Sequence, residues 1–359
     1  MQRALELAAR ARGKTSPNPM VGAVIVKNNR IVAEGYHRRA GEDHAEVVAL
    51  KRAGSRASGA TLYVNLEPCC HTGNTGPCTR AIAESGVKCV VMAIRDPDPR
   101  VAGKGAACLR RAGVSVCSGV LGREATRLNE QYIGFHRNRR PFIILKLAQT
   151  LDGRIAAATG DSRWISGAAS LRHAHRLRSE VDAVVVGLGT VKADNPQLTV
   201  RLVKGDNPYR IIVSRSLAFP HVCRLLDDNT DQRTIVASTE EAIRRFSRRQ
   251  SVPRLTYWTI RKGKDGLLNL LDLVREAGAF GLQSLLVEGG AALATSFIRA
   301  GLVDKYIFVT APKLMGEGVS TLGDLSVRKL TDAIEFDDGT FTPCGSDMIF
   351  TGYARKATA

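Results

Sequence analysis

The chain reads as an α/β protein of two domains, and three observations carry that reading. Short runs rich in Val, Ile and Leu alternate with amphipathic stretches along the whole length, the order of strands and helices taken in turn. Its 359 residues are many for one core and enough for two. A basic segment, residues 123–140, stops at Pro141, where the apolar run 142–147 begins afresh; the residue before a proline is driven out of helical backbone, so the break falls there. Domains are therefore expected at 1–140 and 141–359.

Residues 1–12 space their apolar side chains for an amphipathic helix, which Ser16-Pro17-Asn18-Pro19 closes off in a tight loop. Strand 21–27 turns at Asn28-Asn29 into strand 30–36, asparagine being at ease in the left-handed backbone of such turns. Helix 44–53 places His44 and Glu46 in its first turn, and 61–66 is a third strand. Beyond a loop rich in Cys and Gly come helix 79–84, stopped by Gly86, strand 89–94, helix 103–111 and strand 114–117, with 123–140 as one connecting helix. This is a three-layer α/β/α order. In the second half, strands at 142–147, 183–186, 209–213, 233–237, 284–287 and 305–309 alternate with helical stretches, among them 291–300. No internal repeat or low-complexity tract is present.

Hydrophobic residues make up 44% of the chain, a globular composition. No run of about 18 apolar residues offers a membrane span, and Met1-Gln2-Arg3-Ala4 does not open a signal peptide. A cytoplasmic protein with no membrane partner is expected. Eight cysteines are too sparse for a disulfide framework. Lys and Arg number 52 against 34 Asp and Glu, a net charge of +18, and residues 1–140 hold 23 of the basic and 11 of the acidic groups. Such a balance favours anionic partners. Aromatic residues are only 5%, too few to provide the stacking platforms of a single-strand binder, so a phosphorylated metabolite is the expected anion and nucleic acid is not. Arg244, Arg245, Arg248 and Arg249 read as a solvated helix face.

His44-Ala45-Glu46, answered by Pro68-Cys69 and Pro77-Cys78, is the most specific chemical signal. One imidazole and two thiolates suit zinc and leave its fourth tetrahedral position for water. Glu46 then stands as general acid/base, taking a proton and handing it to a leaving nitrogen. Zinc deaminases of bases carry H-x-E followed by P-C-x-x-C; here eight residues separate Cys69 from Cys78, and within that insert Cys70 and His71 are rival ligands. The prolines before Cys69 and Cys78 favour those two thiols, each at a turn that leads into a helix.

In the second half, Val287-Glu288-Gly289-Gly290 follows a strand and opens a helix, so bare N–H groups at a positive helix end can face a phosphate. The Rossmann fingerprint is missing, because Gly187-Leu188-Gly189 runs on into Thr190-Val191-Lys192. Thr190, Asp194 and Arg201 fall within one polar segment, 187–201.

Taken together, His44-Ala45-Glu46, Glu67-Pro68-Cys69, Thr75-Gly76-Pro77-Cys78, Pro17-Asn18-Pro19, Gly35-Tyr36-His37, Asp96-Pro97-Asp98-Pro99, Leu151-Asp152-Gly153 and the segment 187–201 make a chain that resembles the bifunctional riboflavin-biosynthesis deaminase/reductases over nearly its whole length. The resemblance implies a cytidine-deaminase-like first domain that uses zinc to remove the 2-amino group of a phosphoribosylaminopyrimidine. It implies a dihydrofolate-reductase-like second domain that reduces the product's ribosyl chain with NADPH. By the same likeness Asn18 and His37 contact the deaminase substrate, although His37 by itself reads as a surface histidine at the end of a hairpin. Reductase substrate contacts map onto Lys146, Ser162, Arg178, Leu198, Arg201 and Glu288, the two arginines having the planar fork that suits phosphate. Cofactor contacts map onto Ala148, Trp164, Thr190, Asp194 and the turn Gly290, Ala291, Ala292, Leu293, Ala294, Thr295 and Ser296; Arg215, which the family pattern does not supply, is an additional expected contact, for the 2'-phosphate of NADPH. A homo-oligomer, dimer or tetramer, is the family expectation.

Three positions depart from the family pattern: Cys70 in place of a serine, Asn74 in place of Lys or Arg, and Ser214-Arg215 where an acidic residue commonly closes the strand. The competing class is a tRNA-type base deaminase with an accessory basic domain, supported by the charge. A purely structural zinc would leave Glu46, two residues from His44, without a purpose.

Overall fold

Arg140 is the first residue of a second structural unit. The computed structural model describes residues 1–72, 76–231, 233–249, 252 and 254–355, and the chain divides into Met1–Arg139 and Arg140–Ala359. Arg140 goes with the latter because its guanidinium bonds both carboxylate oxygens of Asp304 (2.7 and 2.9 Å), and one of those oxygens also accepts the Ile143 N–H at 2.8 Å.

The first unit is built on helix α1 (Gln2–Ala9), strands β1 (Gly22–Lys27) and β2 (Arg30–Tyr36), helix α2 (Ala45–Ala53), strand β3 (Thr61–Leu66), helix α3 (Cys78–Glu84), strand β4 (Cys89–Ile94), helix α4 (Lys104–Arg111), strand β5 (Ser115–Ser118) and helices α5 (Gly122–Leu128) and α6 (Glu130–Asn138). The sheet order is β2-β1-β3-β4-β5; β1 runs antiparallel to both neighbours, whereas β3, β4 and β5 are parallel. Alternation along β1 sends Ala23 and Ile25 into a core shared with α2, α3 and α4, and Val24 to the other face beneath Ala4 and Leu7 of α1. Helix α5 covers that same second face through Ala125, and α6 packs Tyr132 and Ile133 on Leu66, Val21 and Ile94 at the strand ends. Both faces of the sheet are therefore sealed, giving the three-layer order.

The second unit follows with β6 (Phe142–Thr150), β7 (Arg154–Ala157), α7 (Ala168–Ser179), β8 (Ala183–Gly187), α8 (Leu188–Asp194), β9 (Tyr209–Val213), α9 (Arg224–Asp227), β10 (Thr234–Ser238), α10 (Glu240–Arg249), β11 (Thr256–Thr259), α11 (Leu270–Ala279), β12 (Ser284–Val287), α12 (Ala291–Arg299), β13 (Lys305–Ala311), β14 (Gly318–Ser320), β15 (Phe336–Cys344) and β16 (Asp347–Ala354). Nine strands pair in the order β11-β10-β9-β8-β12-β6-β13-β16-β15. They are parallel as far as β13, and β16 and β15 close the edge antiparallel. Ile143, Leu145, Val185 and Ile211 pack on α11 and α12, while Ile144, Val184, Val186 and Ile212 pack under α7, α8, α9 and α10. Burial on both faces explains why these central strands read as continuous apolar runs.

Several elements differ from expectation. The connecting helix breaks into α5 and α6 at Asn129, whose backbone leaves the helix (φ −104°, ψ 26°) while its amide pairs with Met20, accepting the N–H at 2.8 Å and donating to the carbonyl at 2.9 Å. Helix α1 ends at Ala9 rather than residue 12, and β6 runs on to Thr150 because β13 pairs with it that far. Strands β7, β11, β14, β15 and β16 carry no clear apolar run. Strand β15 is mostly exposed and contains Gly339 and Pro343, which only an edge strand tolerates. Among the described residues no helix is long and apolar enough to cross a membrane.

Candidate active sites

His44 is the N-cap of α2, with extended backbone (φ −69°, ψ 158°), and Glu46 lies in the first turn. Strand β2 passes close under this helix start because residue 35 is glycine: a Cβ there would stand 2.5 Å from the Ala45 carbonyl oxygen. Glu67, at the end of β3, accepts the N–H groups of Asp96, Gly103 and Ala106 at 3.2, 2.9 and 2.9 Å. It thereby ties the turn at Pro68 to the start of α4, where a Cβ on Gly105 would meet the Pro68 carbonyl at 2.1 Å. The loop then folds back on itself, the Thr79 N–H donating to the Cys69 carbonyl (3.1 Å) and the Cys78 N–H to Cys69 Sγ (3.3 Å).

As a result the donor atoms of His44, Cys69 and Cys78 all lie within 4.8 Å of one another, with His44 Nδ1 3.1 Å from Cys78 Sγ and 3.5 Å from Cys69 Sγ. Among the described residues, neither rival joins such a cluster; Cys70 Sγ instead turns to the Arg100 carbonyl at 3.8 Å. One imidazole and two thiols, with no carboxylate among them, fit zinc. The hydrogen bond from the Cys78 thiol, helped by His44 and the Cys78 N–H, pulls the Cys69 thiol below its ordinary range against the effect of burial. Glu46 is only 3% exposed, and burial, reinforced by Cys69, pushes its carboxyl up to about 7.

His37 is not a surface histidine: it is 2% exposed, and its ring meets that of His44 edge to face at 5.4 Å. Its Nδ1 lies 3.1 Å from the Asp43 carbonyl, which can only accept, so Nε2 is left to accept from Asn18 Nδ2 at 3.1 Å. Two asparagines that sequence reasoning passed over hold the Asn18 segment in place: Asn129 as described, and Asn65, which donates to the Met20 carbonyl (2.9 Å) and accepts the Gly22 N–H (2.8 Å). Their signal is a polar amide at an otherwise apolar position. Asn74 and Thr75 lie outside the described residues.

In the second unit a cavity of about 660 Å³ is lined by Lys146, Ala148, Ser162, Trp164, Thr190, Asp194, Leu198, Arg201, Arg178, Glu288 and Gly290 among others, so eleven of the residues expected to bind substrate or cofactor share one space. Arg178 holds Glu288 through Nη2 (2.6 Å) and Nε (3.1 Å). Burial opposes ionisation of Glu288, yet Arg178 and Lys146 keep its carboxyl below the ordinary range. Burial in turn lowers the Lys146 ammonium, Glu288 opposing. Ser162 donates to Asp194 at 3.1 Å, and Trp164, 67% exposed, leaves its ring open at the cavity.

Helix α12 has no side-chain cap, and Thr190 Oγ1 accepts the Gly290 N–H at 3.0 Å, which leaves the N–H groups of Ala291, Ala292 and Leu293 as the free donors of the first turn. Further along the expected cofactor turn the polar groups already have partners within the chain. Ala294 is fully buried and its N–H bonds Gly290 O; the Thr295 hydroxyl accepts the Gly323 N–H, and that of Ser296 donates to Ala292 O. Arg215 lies off the cavity lining, its guanidinium on the Gly266 carbonyl at 3.3 Å, because the buried Ser214 hydroxyl accepts the Leu217 N–H and turns the chain. The cavity also includes His175 and Arg224, neither of which was foreseen.

Comparison with known proteins agrees with this division of chemistry. Residues 141–350 match the family model described as the RibD C-terminal domain, and residues 1–94 that of the cytidine and deoxycytidylate deaminase zinc-binding region. The riboflavin biosynthesis protein RibD of Aquifex aeolicus (strain VF5) is 43% identical, over 97% of this chain and 96% of that protein. Acinetobacter baumannii RibD is similar in structure, with a TM-score of 0.87 and 34% identity over 99% of this chain and 98% of that one. A diaminohydroxyphosphoribosylaminopyrimidine deaminase/5-amino-6-(5-phosphoribosylamino)uracil reductase from Thermotoga maritima gives 0.85 at 37% identity, covering 99% and 97%. With a His/Cys/Cys cluster in one unit and a reductase-type cavity in the other, the chain belongs to the RibD family of bifunctional riboflavin-biosynthesis deaminase/reductases.

Proposed function

We propose that the first unit hydrolyses the 2-amino group from 2,5-diamino-6-(5-phosphoribosylamino)pyrimidin-4(3H)-one, and that the second reduces the ribosyl chain of the resulting 5-amino-6-(5-phosphoribosylamino)uracil to ribityl with NADPH. The observation that carries this reading is the pairing, in one RibD-family chain, of the His44/Cys69/Cys78 cluster beside buried Glu46 with a cavity that gathers Lys146, Arg178, Arg201 and Glu288.

Zinc on His44, Cys69 and Cys78 would supply a Lewis acid that makes water reactive near neutral pH. Glu46 takes the proton that the attacking water gives up and passes it to the departing amino nitrogen, its carboxyl returning to the form in which it began. With one of its N–H bonds on His37, the Asn18 amide is held in orientation, leaving its carbonyl oxygen and second N–H for the pyrimidine edge.

NADPH would lie against Ala148, Trp164, Thr190, Asp194 and the N–H groups that start α12, and would supply the hydride. Arg201 binds the substrate phosphate, and Arg178, whose Nε and Nη2 are held by Glu288, adds its positive charge from the same wall, while Ser162 and Leu198 border the ribosyl chain. Lys146, its ammonium made less stable by burial, is suited to release a proton to the ribosyl oxygen, with Asp194 and Glu288 as the neighbouring acids. A cytoplasmic homo-oligomer, dimer or tetramer, that acts on this small molecule and on no nucleic acid completes the reading, supported by the family resemblance. Two separate assays test it: ammonia release from the diaminopyrimidine, and NADPH oxidation on adding the aminouracil. Absence of either signal from folded, zinc-loaded protein removes that half.

A further inference from the structure

His175 lines the reductase cavity, is 5% exposed, and has no part in the reactions just described. It sits on α7 three residues before Arg178, so both side chains leave the same helix face. Its Nδ1 accepts the backbone N–H of Arg201 at 2.9 Å, which puts the ring proton on Nε2.

The groups that face this ring are Arg178 on its own helix, Arg201 on the neighbouring loop, Lys146 on β6 and Glu288 just after β12. Burial first, then Arg178 and Arg201, hold the imidazole down to about 4, with Glu288 opposing, so the ring remains a neutral acceptor at ordinary pH. Arg201 belongs to no helix or strand. Its stretch of chain is fixed by side chains instead: Asn207 Oδ1 accepts the Val200 N–H at 2.8 Å, and Thr199 Oγ1 accepts from Arg201 Nη1 at 2.8 Å. Two bonds join this loop to α7, the helix that carries Arg178: the short one from the Arg201 N–H to His175, and a longer one, 3.5 Å, from Arg178 Nη1 to the Thr199 carbonyl, so that of His175 is the one that holds Arg201 itself.

We infer that His175 is a positioning residue of the reductase: by holding the Arg201 backbone to α7 it sets the Arg201 guanidinium at the same anionic group that Arg178 meets. The inference rests on the proposed binding of substrate phosphate by Arg201.

The test compares full-length wild type, His175→Ala, His175→Asn and Arg201→Ala on 5-amino-6-(5-phosphoribosylamino)uracil and on its dephosphorylated ribosyl counterpart. Melting is followed alongside. Loss of one well-placed hydrogen bond of about 1 kcal/mol or slightly more should raise KM of His175→Ala for the phosphorylated substrate about tenfold, with kcat little changed and the dephosphorylated substrate unaffected. The Asn side chain places an acceptor where Nδ1 stood, and His175→Asn should restore KM. An equal rise for both substrates, no rise, or folded His175→Asn behaving like His175→Ala overturns the inference. Should His175→Ala not fold, His175→Gln, whose acceptor falls at the Nε2 position, takes its place with the same expectations. Arg201→Ala separates the two levels: if it discriminates between the substrates and His175→Ala does not, only the positioning role falls, and if it does not discriminate, the phosphate reading falls first.

Discussion

Arg178 and Glu288 form a bidentate ion pair at the wall of the reductase cavity, Nη2 at 2.6 Å and Nε at 3.1 Å from the same carboxylate oxygen, with their side chains 15% and 8% exposed. Removing one member of a desolvated pair leaves the other charge stranded, a loss of about 3 kcal/mol or more. Here Lys146 adds a second cation to the same side. Glu288→Gln should therefore destabilise the second unit by about 3 kcal/mol and abolish reduction while deamination persists. Urea denaturation followed together with both activities checks this; unchanged stability would mean that the pair is not desolvated.

Glu46→Gln should retain zinc and lose deamination. The amide keeps the size of the carboxyl but holds no exchangeable acid proton, and the three donors of the cluster are untouched. Metal content by atomic absorption and ammonia release measure the two parts, and reduction of the aminouracil should continue at its normal rate.

Arg201→Ala should do the reverse, losing a phosphate contact worth about 1.5–3 kcal/mol as a charged hydrogen bond, hence raising KM for the reductase substrate by a factor of about 10 to 150. Ammonia release should not change.

Asp96 should make stability fall as pH rises. Burial lifts its carboxyl from 3.8 to about 6, so between those values the folded chain binds more protons than the unfolded one, and stability declines as pH rises through the window. Its Oδ1 accepts from the Tyr132 hydroxyl at 3.0 Å and from the Asp98 N–H at 2.8 Å, both of which an asparagine oxygen can accept. Asp96→Asn should gain up to about 3 kcal/mol over wild type above pH 6, and the gain should vanish near pH 4. Melting curves of the two proteins across that range decide it.

The deaminase cluster was legible because its ligands lie on local signals: a helix start at His44 and two prolines before Cys69 and Cys78. Pro68 already favours Cys69 over Cys70; what the fold adds is the reason the turn is held, Glu67 and Gly105 fixing it from behind. Continuous apolar runs revealed the central strands, sealed on both faces, but not β15 and β16, whose edge position puts polar and exposed residues in place of such a run. The helix break at Asn129 depends on a partner, Met20, over a hundred residues away in sequence, which periodicity cannot register. The number of free N–H groups at the start of α12, and the direction of the chain after buried Ser214, are likewise properties of packing that no local pattern carries. His175 gave no sequence signal of its own, because what distinguishes it is the backbone N–H of Arg201.

The most direct test of two chemistries in one chain is a one-pot reaction. Purified full-length protein with zinc and NADPH, given 2,5-diamino-6-(5-phosphoribosylamino)pyrimidin-4(3H)-one, should release ammonia and accumulate the ribityl product, followed by mass spectrometry, with one NADPH oxidised per ammonia released. Zinc-loaded, folded protein that forms neither product, yet edits or binds tRNA in a salt-dependent way, would contradict the account.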